Sequence, residues 1–347
     1  MADVTIYGAG IFGLSIAFAC QSAGAKVRVI DPGGVGAGAS GGVVGALAPH
    51  VPENWNDKKA FQLDSLLMAE AFWAEVAEVS GLPPGYARTG RVQPVADEAG
   101  FALAQQREVT ARELWGDAAT WQVVEADTLA HAPVTPTGLL ILDTLSARLH
   151  PREGARALAA AIVTRGGEIV AEGKPQGRVV HATGVAGLTE LSERLAAPVG
   201  NGVKGQGAVL DFAAPDAPQV FADALHVIFH RNGTTAVGST SEREYASATE
   251  TDAQLDEVLD RARIAVPALR DAKVIERWAG VRPRARSRAP MLGVHPLYPG
   301  QFIANGGFKI GFGMAPKVAQ VMADLVLDGR DEIPAALRPE ASLPKTG

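Results

Sequence analysis

The sequence predicts a mixed α/β fold in which a β-α-β nucleotide-binding domain is interleaved with a second, β-rich domain. Three observations support this prediction: a G-x-G-x-x-G motif lies between two β-prone runs near the N-terminus, strand–helix patterns recur in the middle and at the end of the chain, and less regular β-rich segments separate them. We expect residues 1–81, 140–197 and 276–330 to form the first domain, residues 82–139 and 198–275 the second, and residues 331–347 a surface tail.

The composition of the 347-residue chain excludes several classes of protein. Hydrophobic residues make up 47% and charged residues 20%, which suits a large buried core and not a disordered chain. The net charge of −6 disfavours a general nucleic-acid or membrane-surface binder. The single cysteine, Cys20, allows neither an intrachain disulfide nor a cysteine-based metal cluster. Because no secretory signal or membrane-spanning run is recognised, a cytoplasmic location is expected, and no metal site is predicted.

The first β-α-β unit lies within about thirty residues, the usual size of such a unit. Residues 4–7 are β-prone, residues 12–23 carry apolar side chains at helical spacing, and residues 27–30 form a second strand, which Asp31 and Pro32 close. The Gly/Ala/Ser-rich stretch that follows predicts a loop.

The rest of the chain alternates helices and strands. Apolar spacing over 57–80 predicts a long buried helix, and Thr251 and Gln254 have the spacing of a capping box at the start of an amphipathic helix over 251–266. The further predicted elements are a helix over 153–165, strands at 168–170, 178–180 and 302–304, several strands between 203 and 240, and a C-terminal helix with Pro316 in its first turn. Residues 82–140 are predicted to be irregular, with only short strands such as 91–95.

The G-x-G-x-x-G motif carries the strongest chemical signal. Gly8 permits a tight turn, Gly10 lets the backbone approach a pyrophosphate, and Gly13 lets the helix pack closely on the strand. The helix N-terminus supplies free N–H groups and a positive dipole end for phosphates. Asp31, at the end of the second strand, is placed to accept hydrogen bonds from ribose hydroxyls. These features together predict a dinucleotide site, for NAD or FAD.

The Gly-rich stretch over 36–49 favours FAD. An ordinary NAD-binding domain has little use for such a loop directly after the second strand. A loop of this composition lets backbone come close to a second, bulky part of a cofactor, and Ser40 offers a hydroxyl to phosphate.

Several motifs in order along the chain resemble the D-amino-acid oxidase superfamily of FAD enzymes, which includes glycine oxidase and sarcosine oxidase. The resemblance covers about residues 3–329 and is carried by the loop at 36–49, His150-Pro151-Arg152, Val179-Val180-His181-Ala182-Thr183-Gly184, Trp278-Ala279-Gly280-Val281-Arg282-Pro283, Pro290-Met291-Leu292-Gly293 and residues 304–316. It implies a Rossmann-like FAD-binding domain and an antiparallel-sheet α+β substrate domain, with the flavin ring at their interface.

The resemblance also implies which residues lie near the cofactor. The expected FAD-binding residues are Gly8, Gly10, Ile11, Phe12, Gly13, Asp31, Pro32, Ala39, Ser40, Val44, Gly45, Val170, Thr183, Gly184, Gly307, Lys309, Ile310 and Gly311. Cys20 does not lie where sarcosine oxidases attach flavin, so FAD is expected to be non-covalent.

Arg282 and Lys309 are the expected catalytic residues. Arg282 matches the family's arginine that holds a substrate carboxylate, a task that suits the planar guanidinium fork, and Lys309 matches a position that is often basic near the flavin pyrimidine. The implied reaction is oxidation of the C–N bond of a small amine or amino acid, with hydride transfer to flavin N5, as in glycine oxidase. The electron acceptor is O₂ or another carrier.

Two features depart from the family pattern. Arg282, Arg284, Arg286 and Arg288 alternate, which indicates either an exposed segment with solvated charges or a site for a larger or more anionic substrate. His230 stands where the family often has proline, in a structural role or near the substrate. The alternatives to amine oxidation are a flavin-dependent tRNA-modifying oxidoreductase acting on a carboxymethylaminomethyl group, a non-catalytic flavoprotein subunit and a plain NAD dehydrogenase.

Overall fold

Two large β-sheets organise the chain, and the computed structural model describes residues 1–344. The strands are β1 (Val4–Tyr7), β2 (Val27–Ile30), β3 (Ala46–Leu47), β4 (Arg91–Pro94), β5 (Trp121–Glu125), β6 (Leu139–Asp143), β7 (Ala147–Arg148), β8 (Glu168–Val170), β9 (Arg178–His181), β10 (Gly200–Leu210), β11 (Gln219–Ala222), β12 (Leu225–Phe229), β13 (Thr235–Gly238), β14 (Val274–Ala285), β15 (Met291–Val294) and β16 (Phe302–Asn305). The helices are α1 (Ile11–Ser22), α2 (Asp57–Ser80), α3 (Glu98–Trp115), α4 (Pro151–Thr164), α5 (Gly184–Arg194), α6 (Ala253–Ala265) and α7 (Gly311–Asp328).

The first sheet has six strands in the order β15-β16-β9-β1-β2-β8. All neighbours in it are parallel except the edge strand β15, which is antiparallel to β16. Helices α1, α2, α4 and α7 share its hydrophobic core, and Trp73 and Phe18 are among the largest fully buried side chains there. Parallel strands covered by helices are the expected architecture of a nucleotide-binding domain.

The second sheet has eight strands in the order β14-β10-β13-β12-β11-β4-β6-β5, and it is antiparallel except for the β4–β11 pair. One face packs against α6, where Leu255, Val258 and Leu259 are buried. The strands of the two sheets alternate along the sequence, so the predicted interleaved α/β fold is confirmed.

The strands shift the predicted domain limits. The limits at residues 140 and 276 fall inside β6 and β14, and both of these strands hydrogen-bond within the eight-stranded sheet. A local strand pattern does not show which sheet a strand joins. Strands β6 and β14 therefore belong with the second domain.

Several local predictions are corrected. Asp252, and not Thr251, caps α6, because its Oδ1 accepts a hydrogen bond from the Gln254 N–H at 3.0 Å. Pro316 lies inside α7 and not in its first turn, because the helix already begins at Gly311. The long helix α2 has the predicted bounds, and Gly81 ends it in a left-handed conformation with φ of 70°.

Two further segments differ from the expected irregular or surface structure. Helix α3 lies in the stretch predicted to be irregular, and Asp97 caps it by accepting from the Gly100 N–H at 2.7 Å. In the predicted surface tail, Ile333 and Leu337 are buried in the hydrophobic core that the first sheet shares with its helices, and the turn Ala335–Leu337 contacts α2. Residues 345–347 of that tail lie outside the described residues.

Among the described residues, no helix combines the length and apolar character needed to cross a bilayer.

Candidate active site

The G-x-G-x-x-G loop has the geometry that its glycines permit. Gly8 has φ of +108°, and a Cβ there would overlap the Ala182 carbonyl, while a Cβ on Gly13 would overlap the Gly8 carbonyl oxygen. Gly10 is the N-cap of α1 and lies beside the Ser40 hydroxyl. The loop therefore presents bare backbone and the N-terminus of α1 to one place, which fits a pyrophosphate.

Asp31 ties this loop to the neighbouring strands. Its Oδ2 accepts from the Ala9 N–H at 2.7 Å, and its Oδ1 accepts from the Gly33 N–H at 2.9 Å. Its own N–H donates to the Val170 carbonyl at 3.0 Å, so Val170 lies beside Asp31. Each carboxylate oxygen has a second lone pair, so Asp31 retains acceptor capacity for ribose hydroxyls.

The second Gly-rich segment folds against the first. The Ser40 hydroxyl accepts from the Ile11 N–H at 2.9 Å, within a 3-10 turn over Ala39–Gly41. Val44 extends to the eight-stranded sheet, where its methyl group would contact a Cβ on Gly238, and the Gly45 carbonyl accepts from the Leu149 N–H at 3.0 Å. The segment thus leads from the nucleotide domain to the second sheet.

The last Gly-rich segment closes over the start of α1. A Cβ on Gly307 would come within 2.9 Å of the Phe12 ring, and one on Gly311 would lie 3.4 Å from Ile11. The Ile310 N–H donates to the Gly307 carbonyl at 3.0 Å, immediately before α7. The N-cap residues of α1 and α7, Gly10 and Ile310, make no side-chain capping bond, and the Ser40 hydroxyl accepts only from the first N–H of α1. The two helix N-termini therefore lie in one region and favour negative charge there.

Thr183 and Gly184 mark the end of β9 beside the glycine loop. Gly184 begins α5 with φ of +58°, and its carbonyl accepts from the Asn305 side-chain amide at 2.9 Å. The structure therefore brings together the four sequence-predicted cofactor segments around the carboxyl ends of the parallel strands. The cradle of glycines and two helix N-termini fits an extended dinucleotide.

Arg282 lies on β14 and points across β10. Its Nη1 donates to the Ser239 hydroxyl at 2.9 Å, and its Nη2 donates to the carbonyls of Thr240 at 2.7 Å and Lys204 at 3.2 Å. The guanidinium lies over Gly205, where any side chain would overlap it. Gly205 is therefore what makes room for this arginine.

The electrostatic environment of Arg282 suits an anionic ligand. Burial lowers the pKa of Arg282 to about 10, and the buried Glu242 opposes that shift. The guanidinium Nε is buried and has no hydrogen-bond partner among residues 1–344. A partly desolvated cation with a spare donor gains from binding a carboxylate.

Lys309 lies on the loop that faces Arg282. Both side chains approach the Phe308 ring, with the Arg282 Cζ 5.5 Å and the Lys309 Nζ 5.7 Å from its centroid. Partial burial, then the positive charges of Arg282 and Arg284, lower the pKa of Lys309. The structure thus places the two predicted catalytic residues in one cluster.

His226 was not singled out by sequence reasoning. It lies on β12, on the face of the second sheet that carries Gly238 and Gly207, which contact Val44. Burial, together with the positive charges of Arg91 and Lys309, lowers the pKa of His226 to about 3, so the imidazole is neutral. The sequence alone could not single it out, because its place on this face depends on the pairing of strands that are distant in the sequence.

His230 takes the structural role. Its Nε2 lies 3.0 Å from the Val43 carbonyl oxygen, and its ring is 4.6 Å from that of His150. Burial lowers its pKa to about 4, so this histidine is also neutral at ordinary pH. It holds the second Gly-rich segment against the sheet.

Two further residues hold the interface between the domains. Arg152 makes a two-pronged ion pair with Glu276, at 3.0 and 2.6 Å, and donates to the Gly41 carbonyl at 2.7 Å. The Trp278 ring covers Gly42, where a Cβ would lie 3.3 Å from it. Both residues lie in the quoted motifs, but their partners are distant in sequence.

The fold and the site define a two-domain dinucleotide-binding oxidoreductase. The chain belongs to the family of FAD-dependent oxidoreductases that includes D-amino-acid oxidase (DAO), whose family model matches residues 3–325. FAD is therefore its cofactor, and the alternative of a plain NAD dehydrogenase is wrong. The contacts of individual residues with FAD stay predictions.

Known proteins of this family are similar over nearly the whole chain. A glycine oxidase from Geobacillus kaustophilus (strain HTA426) is 26% identical over 354 residues, covering 93% of this chain and 92% of the relative. The crystal structure of glycine oxidase from Geobacillus kaustophilus has a TM-score of 0.80 at 22% identity and covers 96% of this chain and 95% of that one. The crystal structure of iminodiacetate oxidase from Chelativorans sp. BNC1 has a TM-score of 0.80 at 22% identity, with 97% and 98% coverage.

Proposed function

We propose that this enzyme oxidises the C–N bond of a small amine or amino acid that carries a carboxylate, in the manner of a glycine oxidase. The observation that carries the proposal is Arg282, a partly desolvated guanidinium with a spare Nε donor beside the cofactor loops. The similarity to a glycine oxidase over 93% of the chain supports the same substrate class. The tRNA-modifying alternative is not favoured by these relatives.

The protein's part in this reaction is to bind and orient. Bound FAD supplies the acceptor for the two electrons of the broken C–H bond. Arg282 holds the carboxylate through its positive charge and its spare Nε donor, which fixes the α-carbon relative to the cofactor loops. The neutral imidazole of His226 is too weak a base to deprotonate an ammonium group. The proposed reaction uses the substrate amine in its neutral form, and it depends on orientation rather than on a strong protein base.

We also propose that FAD is dissociable and that O₂ or another small carrier reoxidises it. The Cys20 thiol is fully buried in α1, and burial raises its pKa to about 12, so it is a poor nucleophile for flavin attachment.

The single cysteine also supports the expected cytoplasmic location, since a reducing compartment needs no disulfides.

Anaerobic flavin bleaching tests the function directly. The purified holoenzyme is mixed with glycine, sarcosine and a panel of D-amino acids, and absorbance near the flavin maximum is followed. We expect at least one of these carboxylate-bearing amines to bleach the flavin. Absence of bleaching by every member of the panel would contradict the proposed function and favour a non-catalytic flavoprotein.

Replacing Arg282 tests the substrate-holding role. We expect Arg282→Ala to raise KM for the bleaching amine by roughly 150-fold, because truncating one partner of a buried charge pair costs about 3 kcal/mol. The matched control is Arg277→Ala on the same strand, since Arg277 pairs with Asp256 on the α6 side of the sheet. An unchanged KM in Arg282→Ala with full FAD content would refute the role.

A further inference from the structure

Three cationic side chains surround one ring at the candidate substrate site. The Arg282 Cζ, the Arg284 Cζ and the Lys309 Nζ lie 5.5, 5.6 and 5.7 Å from the centroid of Phe308. Phe308 has a left-handed backbone with φ of 45°, and its N–H donates to the Pro283 carbonyl at 2.9 Å. A β-bridge between Arg284 and Gly307 fixes the loop on the same strand. The cluster is therefore built by the backbone and not by flexible side chains alone.

No carboxylate among the described residues pairs directly with this cationic cluster, although the buried Glu242 acts on Arg282 from a longer distance. Within residues 1–344, none of the three side chains forms an ion pair with a carboxylate. Other cations of these strands are paired: Arg277 with Asp256, and the buried Lys204 with Glu242 and Asp252. Like charges that lie together cost free energy: burial lowers the pKa of Lys309 most, and the positive charges of Arg282 and Arg284 add to that shift. An anionic ligand relieves that cost.

One carboxylate does not account for all three cations. In the proposed function, Arg282 holds the substrate carboxylate, and the predicted place of Lys309 is beside the flavin. Arg284 has neither task, although it is partly buried, while Arg286 and Arg288 further along the run are exposed. Its guanidinium makes no side-chain hydrogen bond within the described part of the chain.

We propose that the substrate of this site is an amine with a second anionic group, and that Arg284 binds that group while Arg282 binds the first carboxylate. The inference rests on the proposed function and narrows its substrate class to dianionic amines, such as N-carboxymethyl amino acids or acidic amino acids. The run of arginines thus has two parts: Arg282 and Arg284, on β14, bind substrate, and the exposed Arg286 and Arg288, beyond the end of that strand, lie outside the site.

The test compares two ligands that differ by one carboxylate and that lack the oxidisable amine. Methoxyacetate carries one carboxylate, and oxydiacetate carries two on the same ether framework. Binding to the holoenzyme is measured by isothermal titration and by the change in the visible flavin spectrum. We expect the wild-type protein to bind oxydiacetate at least 10-fold more tightly than methoxyacetate, because one charge-assisted contact of about 1.5 kcal/mol is gained.

Two variants test whether Arg284 is the residue responsible for the preference for oxydiacetate. Arg284→Gln should reduce the preference for oxydiacetate at least 5-fold while changing methoxyacetate affinity less than 3-fold. The matched control, Arg286→Gln, should leave the affinities for both ligands unchanged, since Arg286 is exposed on the same run. Kinetics with iminodiacetate and sarcosine, a pair of real amines with two and one carboxylates, should show the same pattern in KM.

Distinct outcomes separate the two proposals. Methoxyacetate binding that depends on Arg282, without a preference for oxydiacetate, would overturn the dianionic substrate and leave the amine-oxidase function standing. A preference that survives in Arg284→Gln, or that is lost equally in Arg286→Gln, would overturn the role of Arg284. If neither ligand binds and no amine bleaches the flavin, the proposed function fails, and this inference fails with it.

Discussion

The proposed binding of a substrate carboxylate by Arg282 depends on the absence of a side chain at Gly205. In Gly205→Ala, the new Cβ would lie 2.9 Å from Nη1 and closer still to Cζ and Nη2, whereas ordinary contact begins at 3.4 Å. The guanidinium would have to retreat by about 1 Å, a displacement that can cost on the order of 100-fold in rate. The hydrogen bonds to Ser239 and Thr240, now 2.9 and 2.7 Å long, would be broken or distorted.

The fold itself should tolerate this substitution. The colliding atoms are the far end of a flexible side chain, and alanine restricts the unfolded chain more than glycine does. We therefore expect a melting temperature close to that of the wild type and full FAD content. The expected loss of about 100-fold in kcat/KM for the best amine corresponds to about 2.7 kcal/mol of transition-state stabilisation.

Steady-state kinetics on four proteins decide whether Gly205 acts through Arg282. The set is the wild type, Gly205→Ala, Arg282→Ala and the double variant, each checked for melting temperature and flavin content. If the effect runs through the guanidinium, Gly205→Ala costs nothing further once Arg282 has been removed. Equal losses in both backgrounds, or a Gly205→Ala enzyme with wild-type kcat/KM, would refute this reasoning.

Two other predictions concern the cofactor cradle and pH. Gly13→Ala should lower the melting temperature by roughly 5 °C and reduce FAD content, because the new Cβ would overlap the Gly8 carbonyl and overpacking costs about 1–3 kcal/mol. The control is Gly38→Ala, which should leave the melting temperature unchanged because there is open space around Gly38. Methoxyacetate should bind with a constant Kd from neutral pH to about 9 and progressively more weakly above pH 10, because burial lowers the pKa of Arg282 to about 10 and the neutral form cannot hold a carboxylate. A Kd that stays flat to pH 11 would contradict this role of the Arg282 charge.

Glycine patterns and strand–helix spacing were enough to predict most of the nucleotide-binding half, but not helix α5 or strand β15. The requirement for glycine at Gly13 is local, since its Cβ would overlap the Gly8 carbonyl oxygen, whereas Gly8 combines a local positive φ with a close approach to the distant Ala182 carbonyl. Helix α3 was not predicted because only Ala104, Ala111 and Trp115 are buried along its 18 residues, so its sequence shows almost no helical periodicity of apolar residues.

The site residues also divide into those that carry a local sequence signal and those that do not. Arg282 and Lys309 were predicted from motifs, and the structure brings them together around one ring. His226 carries no local signal, because its position depends on the pairing of β12 with β13 and of β13 with β10. The sheet to which β6 and β14 belong is likewise decided by pairing at long range, which no local pattern reports.

Strand β14 and the loop before α7 are joined by backbone hydrogen bonds. β14 belongs to the second sheet, but the chain passes from it within a few residues to β15 of the first sheet. The contact between the Phe308 N–H and the Pro283 carbonyl, and the bridge between Arg284 and Gly307, join that strand to the loop before α7. Backbone hydrogen bonds therefore fix the position of Arg282 relative to the loop before α7. In the proposed function, the same bonds set the orientation of the substrate carboxylate relative to FAD, on which the oxidation depends.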